Sequence, residues 1–165
     1  MTAAWRPAGT RTLRVGLAGL GSMGRNHLRI LGGREDIRLA AVADPVGVAL
    51  EAATAQTGAQ GFAEPLAMIA EADLDAVVIA APTTAHVPLA LAAIERGTAV
   101  LVEKPLAATT DEAMRIVGAA RETGVPVQVG HVERFNPAVL ELGRLLDEGW
   151  LSTVYSIASR RAGPF

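Results

Sequence analysis

Short apolar runs alternate with longer amphipathic stretches along most of the 165-residue chain. Leu13–Ala18, Ile37–Ala43, Ala59–Phe62, Ala76–Ala81, Ala99–Val102 and Val125–Val129 are rich in Val, Ile and Ala, without the strict alternation of a one-sided sheet. That pattern predicts strands covered on both faces. Between them, Met23–Leu31, Val46–Thr57, Pro65–Glu71, Ala85–Arg96 and Asp111–Thr123 carry helical spacing. Gly32-Gly33, Gly58, Gly97 and Gly124 stand where those helices should stop. Thr110, ahead of Asp111-Glu112, reads as an N-cap with acids in the first turn. Strands alternating with helices imply right-handed βαβ units, so the expected fold is α/β with a doubly wound, mostly parallel sheet.

Both ends depart from this rhythm. Residues 1–12, with Pro7 and Gly9, read as a flexible leader. Asn136-Pro137 opens a further helix, Ala138–Asp147, closed by Glu148-Gly149. Trp150–Arg161 then reads as extended, with Val154, Ser156 and Ala158 on one face and Tyr155, Ile157 and Ser159 on the other. Neither face is clearly polar, so this strand is expected to seek burial, and the sequence offers it no partner. Its exposed edges and apolar residues point to self-association.

Composition narrows the function classes. Half the residues are hydrophobic and 19% charged, which suits a folded domain rather than a disordered one. A net charge of −2 with no basic run argues against a nucleic-acid or anionic-membrane partner, and 4% aromatics argues against base-stacking platforms. The absence of cysteine removes disulfides, zinc–thiolate sites and thiol nucleophiles, and no metal site is expected. No apolar run approaches the length of a membrane span, and the start lacks a signal-peptide core, so a cytoplasmic protein is expected.

Chemistry concentrates in two places. The run "RVGLAGLGSMG" sets Gly19, Gly21 and Gly24 as G-x-G-x-x-G between the first strand and first helix, with Asp44 ending the second strand. Gly19 permits the tight turn, Gly21 lets backbone approach a pyrophosphate, and Gly24 allows close packing. Ser22 and Met23 open the helix whose N–H groups would face the phosphates. Asp44 would accept from ribose hydroxyls and repel a 2′-phosphate, which favours NAD over NADP. The competing reading is a glycine-rich turn with a capping aspartate. The second constellation lies at later strand ends: Pro82, Thr83 and His86 after the fourth, Glu103 and Lys104 after the fifth, and His131, Arg134 and Asn136 after the sixth. Lys104 is the only lysine among 15 basic residues. Either it serves chemistry that wants a compact ammonium, or it closes a strand end in a salt bridge with Glu103. His86 reads as a satisfied residue of a helix start or as a cofactor contact. His131 is open between structural and substrate roles, and Arg134 between a substrate contact and a domain-linking ion pair. His27, one turn into the first helix, reads as structural.

The pieces "GLAGLGSMG", "VADP", "APTTAH", "VEKP" and "GHVERFNP", in that order, resemble the N-terminal half of the Gfo/Idh/MocA oxidoreductases. "GHVERFNPAV" also resembles members that oxidise UDP-linked N-acetylamino sugars. The resemblance implies a Rossmann dinucleotide-binding domain over residues 13–149, with residues 150–165 the first strand of a substrate and oligomerisation domain that this chain lacks. It implies an NAD-dependent dehydrogenase of a sugar, nucleotide-sugar or cyclitol alcohol, in a homo-oligomer. Lys104 would be the catalytic contact to the reacting hydroxyl, Pro105 would follow a cis bond that directs it, and Glu103 would face the cofactor's sugar. Pro82, Thr83 and His86 would border the cofactor, and His131, Arg134 and Asn136 the substrate. The alternative is a non-catalytic NAD-binding sensor or partner module.

Overall fold

The computed structural model describes residues 12–160. Apart from Thr12, the expected leader lies outside the described residues. Strands β1 (Leu13–Ala18), β2 (Ile37–Ala43), β3 (Gln60–Phe62), β4 (Ala76–Ile79), β5 (Ala99–Val102) and β6 (Val127–Val129) form one sheet. Its order is β3-β2-β1-β4-β5-β6, and every neighbouring pair is parallel. Helices α1 (Ser22–Gly32), α2 (Gly47–Thr57), α3 (Pro65–Glu71), α4 (Thr83–Glu95) and α5 (Thr110–Thr123) connect the strands. This is the doubly wound α/β arrangement that the alternating pattern predicts, with its switch point between β1 and β4.

Side-chain parity divides the core into two layers. Leu17, Val42 and Val78 pack with Leu28 and Leu31 of α1 and Ala53 of α2. Ala18, Ala43, Val77 and Ile79 point the other way, onto Met68 of α3, Ile94 of α4 and Ile116 of α5. Because both parities are buried, β4 and β5 read as unbroken apolar runs, and β1 and β2 do so after Arg14 and Arg38.

Several local bounds change, among them those of β3 (Gln60–Phe62), β6 (Val127–Val129) and α4 (Thr83–Glu95). The N-cap of α5 is Thr109, not Thr110: its hydroxyl accepts from the Glu112 N–H at 3.3 Å, and the Glu112 carboxylate accepts from the Thr109 N–H at 3.2 Å. That reciprocal box requires a three-residue spacing, which Thr109–Glu112 has and Thr110–Glu112 lacks. The segment Ala76–Ala81 forms a shorter strand, because Ala80 and Ala81 already belong to the turn into α4.

Contacts divide the chain into two compact units, one ending at Gly130 and one beginning at His131. The second unit holds an unpredicted 3-10 turn, Val132–Phe135, and α6 (Pro137–Asp147). The strand expected from Trp150 does not form: residues 150–160 take no sheet pairing, and Arg161 lies outside the described residues. Trp150, Tyr155 and Ile157 are 73%, 93% and 74% exposed. A strand exists only as a member of a ladder, and among the described residues none accepts this segment. No described helix is long and apolar enough to cross a membrane.

Candidate active site at the carboxyl edge of the sheet

The sheet's hydrogen bonding runs one residue past the strand ends and builds a rim. The Asp44 N–H donates to Phe62 O (3.1 Å), Gly19 to Ala43 O (2.8 Å), Ala80 to Ala18 O (2.8 Å), Glu103 to Ile79 O (2.9 Å) and Gly130 to Val102 O (2.7 Å). Backbone pairing thus aligns the glycine loop, Asp44 and the Glu103-Lys104-Pro105 segment on one edge, where open α/β sheets bind ligands.

The loop is shaped by what its glycines lack. Gly19 has φ +95°, and a Cβ there would stand 2.6 Å from Ala80 O. A Cβ on Gly24 would stand 2.0 Å from Gly19 O, so α1 begins in direct contact with the loop. Gly21 is the opposite case, since a Cβ there would meet nothing within 4 Å. The start of α1, with Ser22 and Met23 exposed, has no side-chain cap and no acid in its first turn. Open space over Gly21, uncapped N–H groups and the helix dipole together suit a dinucleotide pyrophosphate.

Asp44 is 8% exposed and already engaged. Its Oδ2 accepts from the Leu20 N–H at 2.6 Å and its Oδ1 from the Val46 N–H at 2.8 Å. The carboxylate therefore ties the end of β2 to the glycine loop, and each oxygen keeps a lone pair for a ribose hydroxyl. Binding aspartate and capping aspartate, which the sequence set as alternatives, are compatible in one side chain.

At the other half of the rim the two readings of Lys104 separate. Lys104 is exposed, and its ammonium makes no hydrogen bond or ion pair among the described residues. The strand-end salt bridge is absent because Glu103 turns inward, 5% exposed. The Glu103 Oε1 accepts from His27 Nε2 at 2.8 Å, and its Oε2 accepts from the Lys104 backbone N–H at 3.3 Å. Held in this way, Glu103 braces the turn that carries Lys104. The peptide bond between Lys104 and Pro105 is cis, as expected.

Pro82 caps α4 and Thr83 begins it, both at the rim. His86 lies buried at the start of α4. It is 1% exposed, with Nδ1 2.9 Å from Pro105 O and Nε2 2.9 Å from Ala81 O, so neither nitrogen is free for a ligand. Both partners are carbonyls, which only accept, so a ring with a single proton donates to one of them.

His131, Arg134 and Asn136 are exposed in the second unit. Asn136 is occupied locally: its Oδ1 accepts from the Ala138 N–H at 3.0 Å as the cap of α6, and its Nδ2 donates to Glu133 at 2.9 Å. His27, read from the sequence as structural, meets Glu103 at the rim. Its one available signal was its place three residues after Gly24, on the face of α1 that also carries the buried Leu28 and Leu31. Among the described residues no cluster of His and acidic groups could hold a metal ion.

Comparison with known proteins agrees with this geometry. The family model described as an oxidoreductase family with an NAD-binding Rossmann fold matches residues 13–131. Inositol 2-dehydrogenase 2 of Saccharopolyspora erythraea is 40% identical over 157 residues, which is 92% of this chain and 46% of that protein. The scyllo-inositol dehydrogenase of Lactobacillus casei, solved with NAD(H) and scyllo-inositol, superposes with a TM-score of 0.82 at 25% identity, covering 86% of this chain and 43% of that one. The WlbA dehydrogenase of Bordetella pertussis, solved with NADH and UDP-GlcNAcA, gives a TM-score of 0.83 at 31% identity, over 88% and 45% of the two chains. The chain spans less than half the length of the relatives it matches. With its glycine loop, its rim aspartate and its Glu-Lys-Pro turn in that family's order, the chain belongs to the Gfo/Idh/MocA oxidoreductases, as their NAD-binding Rossmann domain.

Proposed function

We propose that this chain is the cofactor-binding part of an NAD-dependent dehydrogenase that oxidises a secondary alcohol of a cyclitol. One observation carries the reading: the chain's single lysine stands on the rim that also bears the glycine loop and Asp44, its ammonium unengaged among the described residues. Such a group is wanted where an alcohol becomes a carbonyl, because negative charge builds on the oxygen as the C–H electron pair departs. NAD supplies the acceptor for that hydride when bound. Lys104 donates an N–H to the substrate oxygen, orients the carbinol, and stabilises the developing alkoxide so that its proton leaves more easily. The loop at Gly19–Gly24 and the α1 N-terminus hold the pyrophosphate, and Asp44 accepts from the adenosine ribose.

Similarity to proteins named inositol 2-dehydrogenase, at 40% and 45% identity, favours a cyclitol over a nucleotide sugar. The test uses the full-length protein. Tryptophan and NADH fluorescence titrations should give tighter binding of NAD than of NADP, and NADH should appear with inositol isomers but not with a UDP-linked N-acetylamino sugar. Turnover of the nucleotide sugar alone would refute the cyclitol assignment, and equal affinity for the two cofactors would refute the role of Asp44.

A further inference from the structure

The residues on either side of Lys104 are each fixed by an imidazole, and the two rings come from opposite faces of the sheet. Glu103 shares the parity of Leu101, which packs in the α1 layer. On that side Glu103 meets His27 Nε2 at 2.8 Å, and the backbone of Gly130 closes over it, since a Cβ at 130 would lie 3.1 Å from both carboxylate oxygens. On the α4 side, His86 Nδ1 contacts the Pro105 carbonyl at 2.9 Å.

We infer that His27 is a positioning residue for Lys104, acting with His86 as a two-sided clamp that keeps the Glu103 carboxylate off the lysine ammonium; this rests on the proposed role of Lys104. A buried carboxylate beside a free ammonium in sequence would ordinarily pair with it, because an unpaired buried charge is costly. Here the His27 N–H and the Lys104 backbone N–H engage both oxygens, so the ammonium stays available to a substrate oxygen. Without His27, Oε1 loses its donor, and the ammonium of the adjoining residue is the cation at hand. His27 also lies on the helix that follows the glycine loop, so the clamp links the pyrophosphate-binding helix to the lysine turn.

The experiment compares His27→Leu, His27→Gln and Lys104→Met in the full-length protein. It reads kcat, NAD affinity, and hydrogen exchange of the peptide spanning residues 100–107. His27→Leu should lower kcat by about 10- to 100-fold, the scale of a misplaced reacting group. NAD affinity should stay within a few-fold, and exchange at the Lys104 amide should quicken while β1 and β4 peptides hold. Gln can present an N–H to the same oxygen and should recover most of both losses. His27→Asn, too short to reach, replaces the leucine variant if that fails to fold. Unchanged kcat in His27→Leu, a glutamine variant no better than leucine, or exchange that rises evenly across the domain would each overturn the inference. Full turnover in Lys104→Met would instead sink the reading of Lys104, and the Lys104 amide would still judge the clamp.

Discussion

Replacing Asp44 with alanine should cost stability before it costs cofactor selectivity. The carboxylate accepts two backbone N–H groups, one of them on Leu20, which is 2% exposed. Removing it strands the Leu20 donor away from water at about 1–3 kcal/mol, while the donor of Val46, a residue 59% exposed, can return to water at about 0.5–1.5 kcal/mol. The sum is about 1.5–4.5 kcal/mol, which for a chain of this size lowers the melting temperature by roughly 3–18 °C. NAD affinity should fall as well, since the ribose loses its acceptor and the glycine loop its tie. NADP should gain little, because the loosened loop serves both cofactors. Asp44→Ser with Val46→Arg keeps one acceptor and adds a phosphate partner, so it should shift preference toward NADP. Calorimetric melts of Asp44→Ala, read beside fluorescence titrations with each cofactor, decide the matter. A melting temperature within about one degree of the parent would mean that the carboxylate does not hold the loop.

The glycine loop offers a contrast within one motif. Gly24→Ala must push a methyl into Gly19 O and should destabilise by about 1–3 kcal/mol or more, whereas Gly21→Ala meets open space and should leave the melt unchanged while weakening NAD binding. Lys104→Arg in the full-length enzyme should keep cofactor affinity within a few-fold yet cut turnover by about 10²–10⁴, measured as steady-state NADH formation. The 165-residue chain expressed alone should sediment larger than a chain ending at Gly149, because Trp150, Tyr155 and Ile157 stand exposed; matching monomeric profiles would refute self-association.

The doubly wound sheet was legible because burial on both faces leaves a coarse mark, apolar runs at Val15–Ala18, Leu39–Ala43, Ala76–Ile79 and Ala99–Val102. The glycine loop and Asp44 were legible because their geometry is local to one βαβ unit. His27 was not, since its partner lies 76 residues away and a histidine on a half-buried helix face has many possible partners. The direction of the Glu103 side chain was hidden for the same reason, being decided by what α1 offers across the sheet. The Thr109 cap could have been found, for its spacing to Glu112 is written in the sequence. Trp150–Arg161 shows the converse: apolar patterning proposes a strand, but only a neighbouring ladder makes one.

A rim assembled from amide-to-carbonyl pairing separates scaffold from specificity. Gly19, Asp44, Ala80, Glu103 and Gly130 each donate a main-chain N–H to the neighbouring strand end. Exposed side chains along that edge, such as those of Pro82 and Lys104, can therefore be exchanged without unfastening it. Proline at any of the five donors would delete one link and leave a carbonyl without its partner. A proline walk along those positions would map the frame, and ordinary substitutions between them would redraw what the cleft admits. The same edge could in this way pass from one alcohol to another through a few surface changes, while the ladder beneath stays as it is.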